Sequence, residues 1–485
     1  MGILGPQTSA VSLEIASLGR LLDVPLISYL STSVTLCQRD SFPNFFRTVP
    51  SDKHQAQAIV KLLKRFQWSY ASFVHSDSEY GTTGYQLVKQ AVEKAGDLCL
   101  AEPITIYNRH FEEKDYKRVV ETLLHGKKEN KDNTVTPKVV IVFADRVPAG
   151  KLLQAAKDLG VRDDQIRWIG SDAWASRESV VENREGVVEG AIAIQPLRKS
   201  LPEYDEYFKN LITSLNTRNP WFEEYLEVYH NCSNDEKKAN LLPTCKDKGG
   251  VPFRQQYYIH FVRDAVYAFA HALHNLHKDV CEDFANDKLC PAFKEKVFTT
   301  LAHYLANVSF ESHNFTFKFY GHDDSYSRGL SAHDGPPRYS VINFGKTLNK
   351  GKVVYDWKDV GTYNGSDIVD MNSEFAERYA PTARNEECGR QECEMNYIKI
   401  PDSDDQCCWH CTDCGAFKYR LNEHECRDCP PGQRSFKNGT GMACTLIEEV
   451  TNPKLELFLS CHLKIRMLLF FRLTWIIPAH GQLEQ

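Results

Sequence analysis

The stretch from Thr8 to Gly81 repeats one pattern, in which a short apolar strand leads into a polar loop and the loop into a helix. The loops are Gly5-Pro6-Gln7-Thr8-Ser9, Ser31-Thr32-Ser33, Pro50-Ser51-Asp52 and Ser78-Glu79-Tyr80-Gly81. In a doubly wound sheet such loops gather at the carboxyl ends of the strands, where ligands bind. The pattern therefore predicts an α/β fold with a ligand site built from these loops.

Two helices in this stretch carry local signals of their own. Apolar residues recur at helical spacing after the first loop and predict a buried face made of Val11, Ile15, Leu18 and Leu22. After the third loop, Asp52 and Gln55 stand at the spacing of a capping box.

The side chains of these loops suit a zwitterion. Hydroxyl-bearing loops that lead into helices offer backbone N–H groups and the positive end of a helix dipole, which favour an anion. Asp52 lies on a neighbouring loop and suits a cation. Together they predict a site for an α-carboxylate and an α-ammonium, although each residue taken alone is better explained as a helix cap.

The alternation of strands and helices continues beyond Tyr80 and forms a second group of loops. The strand Ile166-Arg167-Trp168-Ile169-Gly170 ends at Asp172, and Arg177 follows in the same loop. Strands at 339–344 and 353–355 return to the sheet after a helical stretch. We therefore expect two lobes, each visited more than once by the chain.

Composition sets limits on the class of protein. The chain has 485 residues, 42% of them hydrophobic and 25% charged, and a net charge of −6 that implies no nucleic-acid or membrane-surface role. The first residues lack the features of a signal peptide, and we expect that the amino-terminal part of a larger domain is missing. Lys464, Arg466 and Arg472 interrupt the apolar tail, which predicts that it is not transmembrane.

Nine of the sixteen cysteines lie between residues 388 and 444, where few aliphatic residues separate them. Such a segment needs disulfides or metal to fold. The pair Cys411-x-x-Cys414 and Cys426-x-x-Cys429 has zinc-ribbon spacing, whereas the leftover cysteines and the adjacent Cys407 and Cys408 favour disulfides with several partners. The sequons at Asn231, Asn307, Asn314, Asn364 and Asn438 favour an oxidising, extracellular setting.

Several motifs together resemble the metabotropic glutamate receptors of class C. They are Ser31-Thr32-Ser33, Arg47-Thr48-Val49-Pro50-Ser51-Asp52, Tyr80-Gly81, Gly170-Ser171-Asp172-Ala173-Trp174, Asn216-Thr217-Arg218-Asn219-Pro220-Trp221-Phe222 and Cys407-Cys408-Trp409-x-Cys411. The resemblance covers about residues 2–446. It implies a bilobed, periplasmic-binding-protein-like (venus flytrap) domain over 1–380, a small disulfide-rich β domain over 381–446, and a divergent tail over 447–485.

The resemblance also implies a ligand site for glutamate or a related α-amino acid. Ser9 and Thr32 match positions that hold the α-carboxylate. Asp52, Tyr80 and Asp172 match positions around the α-ammonium, and Arg177 matches an arginine of the second lobe near the site. Arg328 is a weak candidate for the grip on the distal carboxylate. Leu30 replaces a small residue of the family pattern beside the carboxylate loop, where we expect it to crowd the ligand. The family's earlier tyrosine, tryptophan and arginine contacts would precede Met1, so the resemblance implies α-amino-acid recognition more strongly than glutamate selectivity.

The same resemblance implies a set of disulfides and no metal or cofactor. The implied pairs are Cys99–Cys407, Cys388–Cys408, Cys393–Cys411, Cys414–Cys426, Cys429–Cys444, Cys232–Cys245 and Cys281–Cys290, which leave Cys37 and Cys461 over. Cys99–Cys407 would join the second lobe to the cysteine-rich domain.

The implied function is that of a ligand sensor and not an enzyme, since the chain lacks nucleophile-elbow, phosphate-loop and zinc-protease motifs. In a full receptor it would pair as a homodimer on the extracellular face of the plasma membrane and reach a G protein only through a seven-helix domain, which this chain lacks. A class C relative with another amino acid as ligand, a non-signalling truncated or decoy form, and a zinc-binding adaptor are the alternatives.

Overall fold

The computed structural model describes residues 2–126, 136–213, 219–233, 245, 255–281, 289–312, 315–321, 333–349, 352–379, 393–402, 405–438 and 441–446. The chain divides into two compact units, Met1–Cys388 and Gly389–Gln485. Arg328, Cys388, Cys461 and the tail from 447 lie outside the described residues.

The secondary structure of the first unit mixes helices and strands. Its helices are α1 (Ser9–Leu22), α2 (Asp52–Arg65), α3 (Glu79–Ala95), α4 (Glu113–His125), α5 (Arg146–Asp158), α6 (Glu178–Val181), α7 (Glu185–Val188), α8 (Pro202–Thr213), α9 (Phe222–His230), α10 (Ile259–Val280), α11 (Pro291–Ala306) and α12 (Ser373–Arg378). Its strands are β1 (Ile3–Leu4), β2 (Leu26–Ser28), β3 (Phe45–Arg47), β4 (Tyr70–Ser76), β5 (Cys99–Leu100), β6 (Ile104–Ile106), β7 (Val139–Phe143), β8 (Arg167–Gly170), β9 (Ile192–Pro196), β10 (Ser309–Ser312), β11 (Phe315–Lys318), β12 (Tyr339–Asn349), β13 (Lys352–Tyr363) and β14 (Ile368–Val369).

Lobe one is built from two segments that are distant in sequence. A parallel sheet in the order β1-β2-β3 carries Ile27 and Phe46. These two side chains pack in one core with Ala268 of α10 and Leu305 of α11. The hairpin of β10 and β11 adds Phe317 to the same core.

Lobe two is built around a nine-stranded mixed sheet in the order β14-β13-β12-β9-β8-β7-β4-β5, with β6 paired to β4. Strands β4, β7, β8 and β9 are parallel, and β12 to β14 are antiparallel to their neighbours. Helices cover both faces and form two separate apolar cores, so β4 and β7 are buried along their whole length.

Three chain segments cross between the lobes and bond to one another. The Gly335 N–H donates to the carbonyl of Val49 at 3.1 Å, and the Leu197 N–H donates to the carbonyl of Arg338 at 3.0 Å. A Cβ on Gly335 would lie 1.9 Å from the Thr48 carbonyl oxygen, so only glycine permits this approach. The expected bilobed α/β fold is confirmed, and the chain enters each lobe twice.

The predicted buried face of α1 is wrong at three of its four residues. The residues that face the lobe are Ser12, Ala16 and Gly19, whereas Val11, Leu18 and Leu22 are 50%, 55% and 72% exposed. Small residues allow the helix to approach the sheet closely, and a Cβ on Gly19 would meet the carbonyl of Val24 at 3.0 Å. Ile15, the fourth residue of the predicted face, is partly buried and packs against the core that contains Ala16 and Leu26, so only Val11, Leu18 and Leu22 lie on the outside of the lobe.

The second unit consists of three antiparallel two-stranded sheets in its described part. They pair β15 (Tyr397–Asp402) with β16 (Asp405–Asp413), β17 (Lys418–Arg420) with β18 (Cys426–Asp428), and β19 (Gln433–Asn438) with β20 (Gly441–Leu446). Its buried apolar residues in this part are Cys393, Cys407 and Cys414. Sulfur therefore takes the place that aliphatic side chains hold in a larger core.

Five of the implied disulfides are present: Cys232–Cys245, Cys281–Cys290, Cys393–Cys411, Cys414–Cys426 and Cys429–Cys444. All four cysteines of the zinc-ribbon spacing are among them, which leaves that spacing without a thiolate for zinc. Cys99 and Cys407 are also disulfide-bonded, and the bond between them stays a prediction. The Cys388–Cys408 pair lies outside the described residues.

Within the described ranges, no helix combines the length and the apolar character that crossing a membrane requires.

Candidate ligand site between the lobes

The hydroxyl loop, residues 31–33 after β2, is held by a network of serines in lobe one. The hydroxyl oxygens of Ser12 and Ser31 lie 2.7 Å apart, and the Ser31 N–H donates to the Ser28 hydroxyl at 3.0 Å. Ser9 begins α1, and its hydroxyl accepts from the Ser33 N–H at 3.2 Å. The structure thus brings Ser9 and the hydroxyl loop together, as the sequence predicts.

Arg47 holds this loop through its backbone carbonyls, a role that the sequence did not predict. Its fully buried guanidinium donates to the carbonyls of Ser31 at 3.2 Å and Ser33 at 2.8 Å. It also makes two bonds to the carboxylate of Asp334, at 2.8 and 3.1 Å. Arg47 lies inside a motif that the sequence singled out, but nothing in the sequence shows that Asp334 would reach it.

Asp52 lies where the chain first crosses from lobe one to lobe two. Its N–H donates to the Thr32 carbonyl at 2.9 Å, and the residue is only 2% exposed. Among the described residues, no hydrogen-bond partner faces its Oδ1. The expected capping box is wrong, because Ser51 caps α2 by accepting from the Lys53 N–H. Gln55 instead donates to Asp172 at 2.9 Å and to the Ile194 carbonyl at 3.1 Å.

Tyr80 and Asp172 meet on the lobe-two side of the cleft. The Tyr80 hydroxyl donates to Asp172 Oδ1 at 2.5 Å and accepts from the Ala173 N–H at 3.4 Å. Gly81 lets the start of α3 lie against β4, since a Cβ there would be 2.3 Å from the carbonyl oxygen of Ser76. That close approach fixes the position of Tyr80.

Burial and mutual repulsion make Asp52 and Asp172 poor places for negative charge. Burial and then the charge of Asp172 raise the pKa of Asp52 well above its ordinary value, against the Thr32 hydroxyl and Arg47. Burial also raises the pKa of Asp172, against hydrogen bonds from Tyr80 and Gln55. A buried carboxylate pair of this kind is stabilised by a proton or by a bound cation such as an ammonium group.

Arg177 connects this cluster to a neighbouring cavity. Its guanidinium carbon lies 5.7 Å from the ring centroids of both Tyr257 and Tyr258, which belong to lobe one. The cavity encloses about 430 Å³, and its polar lining includes Arg146, Arg177, Arg198, Gln255 and Gln256. Burial and then the charge of Asp172 raise the pKa of Tyr257, which also lines the cavity.

The structure therefore brings together Thr32, Asp52, Tyr80 and Asp172, with Ser9 behind the hydroxyl loop and Arg177 at the cavity. Arg328 lies outside the described residues. Gln55 and Arg47 join the cluster without having been predicted as site residues. Among the residues that the structure describes, no group of three or more His, Cys, Asp or Glu side chains is placed to hold a metal ion.

Comparison with known proteins agrees with this architecture. Residues 1–328 match the family described as receptor family ligand binding region. That match covers both segments of lobe one and the first part of lobe two, including each described residue of the cluster.

Curated relatives extend the similarity to most of the chain. A metabotropic glutamate receptor of Drosophila melanogaster is 31% identical over 470 residues, covering 89% of this chain and 46% of the relative. Human metabotropic glutamate receptor 8 is 30% identical, covering 92% of this chain and 47% of the relative. Metabotropic glutamate receptor 6 of Oryctolagus cuniculus is 29% identical, with coverage of 93% and 50%.

The chain thus spans about half the length of the curated relatives it matches. The bilobed fold, the disulfide-bonded second unit and these matches lead to one assignment. The chain belongs to the family described as receptor family ligand binding region, and over about nine-tenths of its length it is similar to metabotropic glutamate receptors.

Proposed function

We propose that this chain is the amino-acid-sensing portion of a metabotropic glutamate-type receptor, and that it signals by closing its two lobes around an α-amino acid. The observation that carries the proposal is the cluster of Thr32, Asp52, Tyr80 and Asp172 at the cleft. It presents hydroxyl and amide groups on one side and ionisable carboxylates on the other.

The proposed roles follow from charge. Ser9 and Thr32 hold the α-carboxylate of the ligand on lobe one. The α-ammonium group lies between Tyr80 and Asp172 on lobe two, with Asp52 adding negative charge from the crossing. An ammonium group replaces the proton that the crowded carboxylates otherwise need, so binding a cation relieves their repulsion.

Closure provides the energetic link between binding and signalling. Hydrogen bonds to charged groups contribute roughly 1.5–3 kcal/mol each. If Tyr80 and Asp172 contact the ligand only when lobe two closes, two such bonds shift the balance between open and closed forms by about a hundredfold or more.

Glutamate is the first choice of ligand because three arginines, Arg146, Arg177 and Arg198, line the cavity beside Asp172 and outnumber its two carboxylates, Glu178 and Glu182. A carboxylate on the ligand side chain would point toward these cations, whereas a basic side chain would be repelled. The alternative is a class C relative that binds another α-amino acid, for which the same α-carboxylate and α-ammonium contacts hold.

Calorimetry tests the proposal. We expect glutamate to bind more tightly than alanine or a basic amino acid, and Tyr80→Phe to weaken binding about tenfold or more, since it deletes a hydrogen bond to a charged group. The matched control is Tyr85→Phe on the same helix, whose ring packs against Phe73 and His75 outside the cluster.

Three outcomes are informative. Equal loss in both tyrosine variants would remove the proposed role of Tyr80. Tighter binding of alanine or of a basic amino acid would favour the class C alternative. No binding of any amino acid would favour a non-signalling form of the chain.

We also propose a cellular location and a pairing surface for the chain. We expect the disulfides and sequons to reflect an extracellular face of the plasma membrane, with Cys99–Cys407 relaying lobe movement to the second unit. Two copies would pair through the exposed apolar stripe of α1, made of Val11, Leu18, Leu21 and Leu22. G-protein coupling would require a seven-helix domain in a full receptor.

A further inference from the structure

Glu79, the first residue of α3 in lobe two, reaches across the cleft to lobe one. Its Oε1 accepts from the hydroxyl of Ser33 at 2.6 Å and from the hydroxyl of Thr35 at 2.8 Å. Within its own helix, the same oxygen accepts from the hydroxyl of Thr83 at 3.3 Å. The first two bonds join the lobes through side chains of the protein itself.

A role in helix capping does not explain this arrangement. Ser78 already caps α3 by accepting from the Gly81 N–H at 3.2 Å. The Glu79 carboxylate instead turns toward the loop after β2, where Ser33 is fully buried, and its second oxygen is also out of contact with solvent. The Glu79 side chain therefore lies between the lobes and bonds to lobe one.

The chemistry of the contact resembles that of an anionic ligand. The proposed function places the α-carboxylate of an amino acid on the hydroxyl loop. Glu79 puts a carboxylate of the protein on hydroxyl groups of the same loop and of the short helix Val34–Cys37 that follows it. The ligand carboxylate would be held by lobe one alone, whereas the Glu79 carboxylate reaches these hydroxyl groups only when the two lobes are close together.

We propose that Glu79 is a built-in latch, which holds part of the population closed in the absence of an amino acid. The inference rests on the proposed closure mechanism but not on the identity of the ligand. It predicts a receptor domain with a substantial closed fraction at rest, on which an amino acid adds a further shift toward the closed form.

The test measures closure directly in the full chain. Dyes on non-natural amino acids at the exposed positions Glu14 on α1 and Lys114 on α4 report the distance between the lobes by energy transfer. Without amino acid, we expect Glu79→Ala to lower the ratio of closed to open molecules about tenfold or more, because it deletes two hydrogen bonds to a charged group. Glu79→Gln should lower it less, since the amide oxygen still accepts.

Two threonine variants give a matched comparison. Thr35→Val removes the bond that crosses between the lobes, whereas Thr83→Val removes the bond to the same Glu79 oxygen within α3. We expect Thr35→Val to open the lobes and Thr83→Val to change the ratio less than twofold. In the double variant Glu79→Ala/Thr35→Val, the second substitution should add little to the first.

Unchanged closure in Glu79→Ala and Thr35→Val, with unfolding temperatures equal to the parent chain, would overturn the latch. Equal opening by both threonine variants would overturn it too, because the effect would then not depend on the crossing bond. Adding glutamate to each variant separates this result from the proposed function. Closure by glutamate with no effect of Glu79→Ala refutes the latch alone, whereas an effect of Glu79→Ala with no response to glutamate, alanine or lysine refutes the proposed ligand alone.

Discussion

Single residues at the cleft store unfavourable electrostatic energy. Asp52 and Asp172 are both buried, and each carries a pKa above its ordinary value. A protein that needed only stability would replace one of them by a neutral residue. Their presence is understandable if the repulsion is relieved by a bound ammonium group, so the site gives up some folding stability for a preference for cations.

This repulsion predicts a pH-dependent effect of Asp52→Asn on stability. Above pH 4 the unfolded chain has lost the Asp52 proton, whereas the folded chain keeps it, so the wild type loses stability as pH rises toward the folded pKa. The amide does not titrate. Without amino acid, the variant should therefore gain stability relative to the wild type between pH 4 and pH 7, by about 1.4 kcal/mol for each unit of pKa displacement.

Thermal unfolding at the two pH values measures this gain. Asp164→Asn is the control, because Asp164 is an exposed carboxylate whose pKa is lowered by its bond to Arg162. It should show no gain at pH 7. A stability difference between Asp52→Asn and the wild type that is the same at pH 4 and pH 7 would contradict the electrostatic account of the site.

At the scale of single elements, the start of α3 depends on the absence of a side chain at Gly81. Gly81→Ala would place a Cβ 2.3 Å from the carbonyl oxygen of Ser76 and push the helix, with Tyr80, away from Asp172. We expect a loss of about 1–3 kcal/mol in the free energy of unfolding and weaker amino-acid binding.

Gly150→Ala in α5 is the matched control for this substitution. A Cβ there meets no other atom within 4 Å, so the better helix propensity of alanine should add up to about 1 kcal/mol of stability. Chemical denaturation of both variants checks the pair. If Gly81→Ala proved as well tolerated as Gly150→Ala, the close approach of α3 to β4 would not be what positions Tyr80.

The outward stripe of α1 predicts how copies of the chain associate. Leu21 and Leu22 are 80% and 72% exposed, beside Leu18 and Val11 on the same helix. Leu21→Glu/Leu22→Glu should convert a dimer into a monomer in sedimentation velocity, because burying two carboxylates in an apolar contact is unfavourable.

Arg20→Glu provides the control on the same helix, since Arg20 is exposed but lies away from the stripe. It should leave the sedimentation coefficient unchanged. A wild-type chain that stays monomeric at high concentration would argue against α1 as the pairing surface.

The comparison of α1 and α2 with their sequences shows what periodicity can and cannot predict. The apolar spacing identified α1 as a helix, but it placed three of four residues on the wrong face, because the buried positions are held by the small residues Ser12, Ala16 and Gly19. The Asp52–Gln55 spacing identified the start of α2, yet Gln55 bonds to Asp172, which is 117 positions later. Local patterns predict elements well, whereas such distant partners depend on the folded chain.

The residues of the site also divide into those that the sequence predicted and those that it did not. Ser9, Thr32, Asp52, Tyr80 and Asp172 follow from loops at strand ends and from family motifs, and the structure brings them together. Arg47 and Glu79 act through contacts between segments that no spacing rule connects. Their roles depend on contacts that exist only in the folded chain.

At the scale of the whole molecule, the two units depend on different forces. The bilobed unit has two large apolar cores in lobe two alone, whereas the second unit relies on Cys393–Cys411, Cys414–Cys426 and Cys429–Cys444. We expect dithiothreitol to abolish amide-exchange protection in residues 393–446 while strands β4 and β7 stay protected.

Dithiothreitol would also reduce the two disulfides of the first unit, and we expect that unit to stay folded without them. Cys232–Cys245 and Cys281–Cys290 close short loops of 13 and 9 residues in sequence separation, so their loss should cost only about 2–3 kcal/mol each. Hydrogen-exchange mass spectrometry resolves the two units. Simultaneous loss of protection in both would show that the bilobed unit also requires its disulfides.

The ion pair of Arg47 and Asp334 has a consequence for the order of events in biosynthesis. Its partners are 287 positions apart, and removing one partner from such a buried pair costs about 3–5 kcal/mol. A nascent polypeptide that has not yet emerged from the ribosome as far as Asp334 carries an uncompensated guanidinium beneath the hydroxyl loop. The cleft is therefore expected to assemble only late in translation, and chaperones would encounter its first strands long before they are competent to bind.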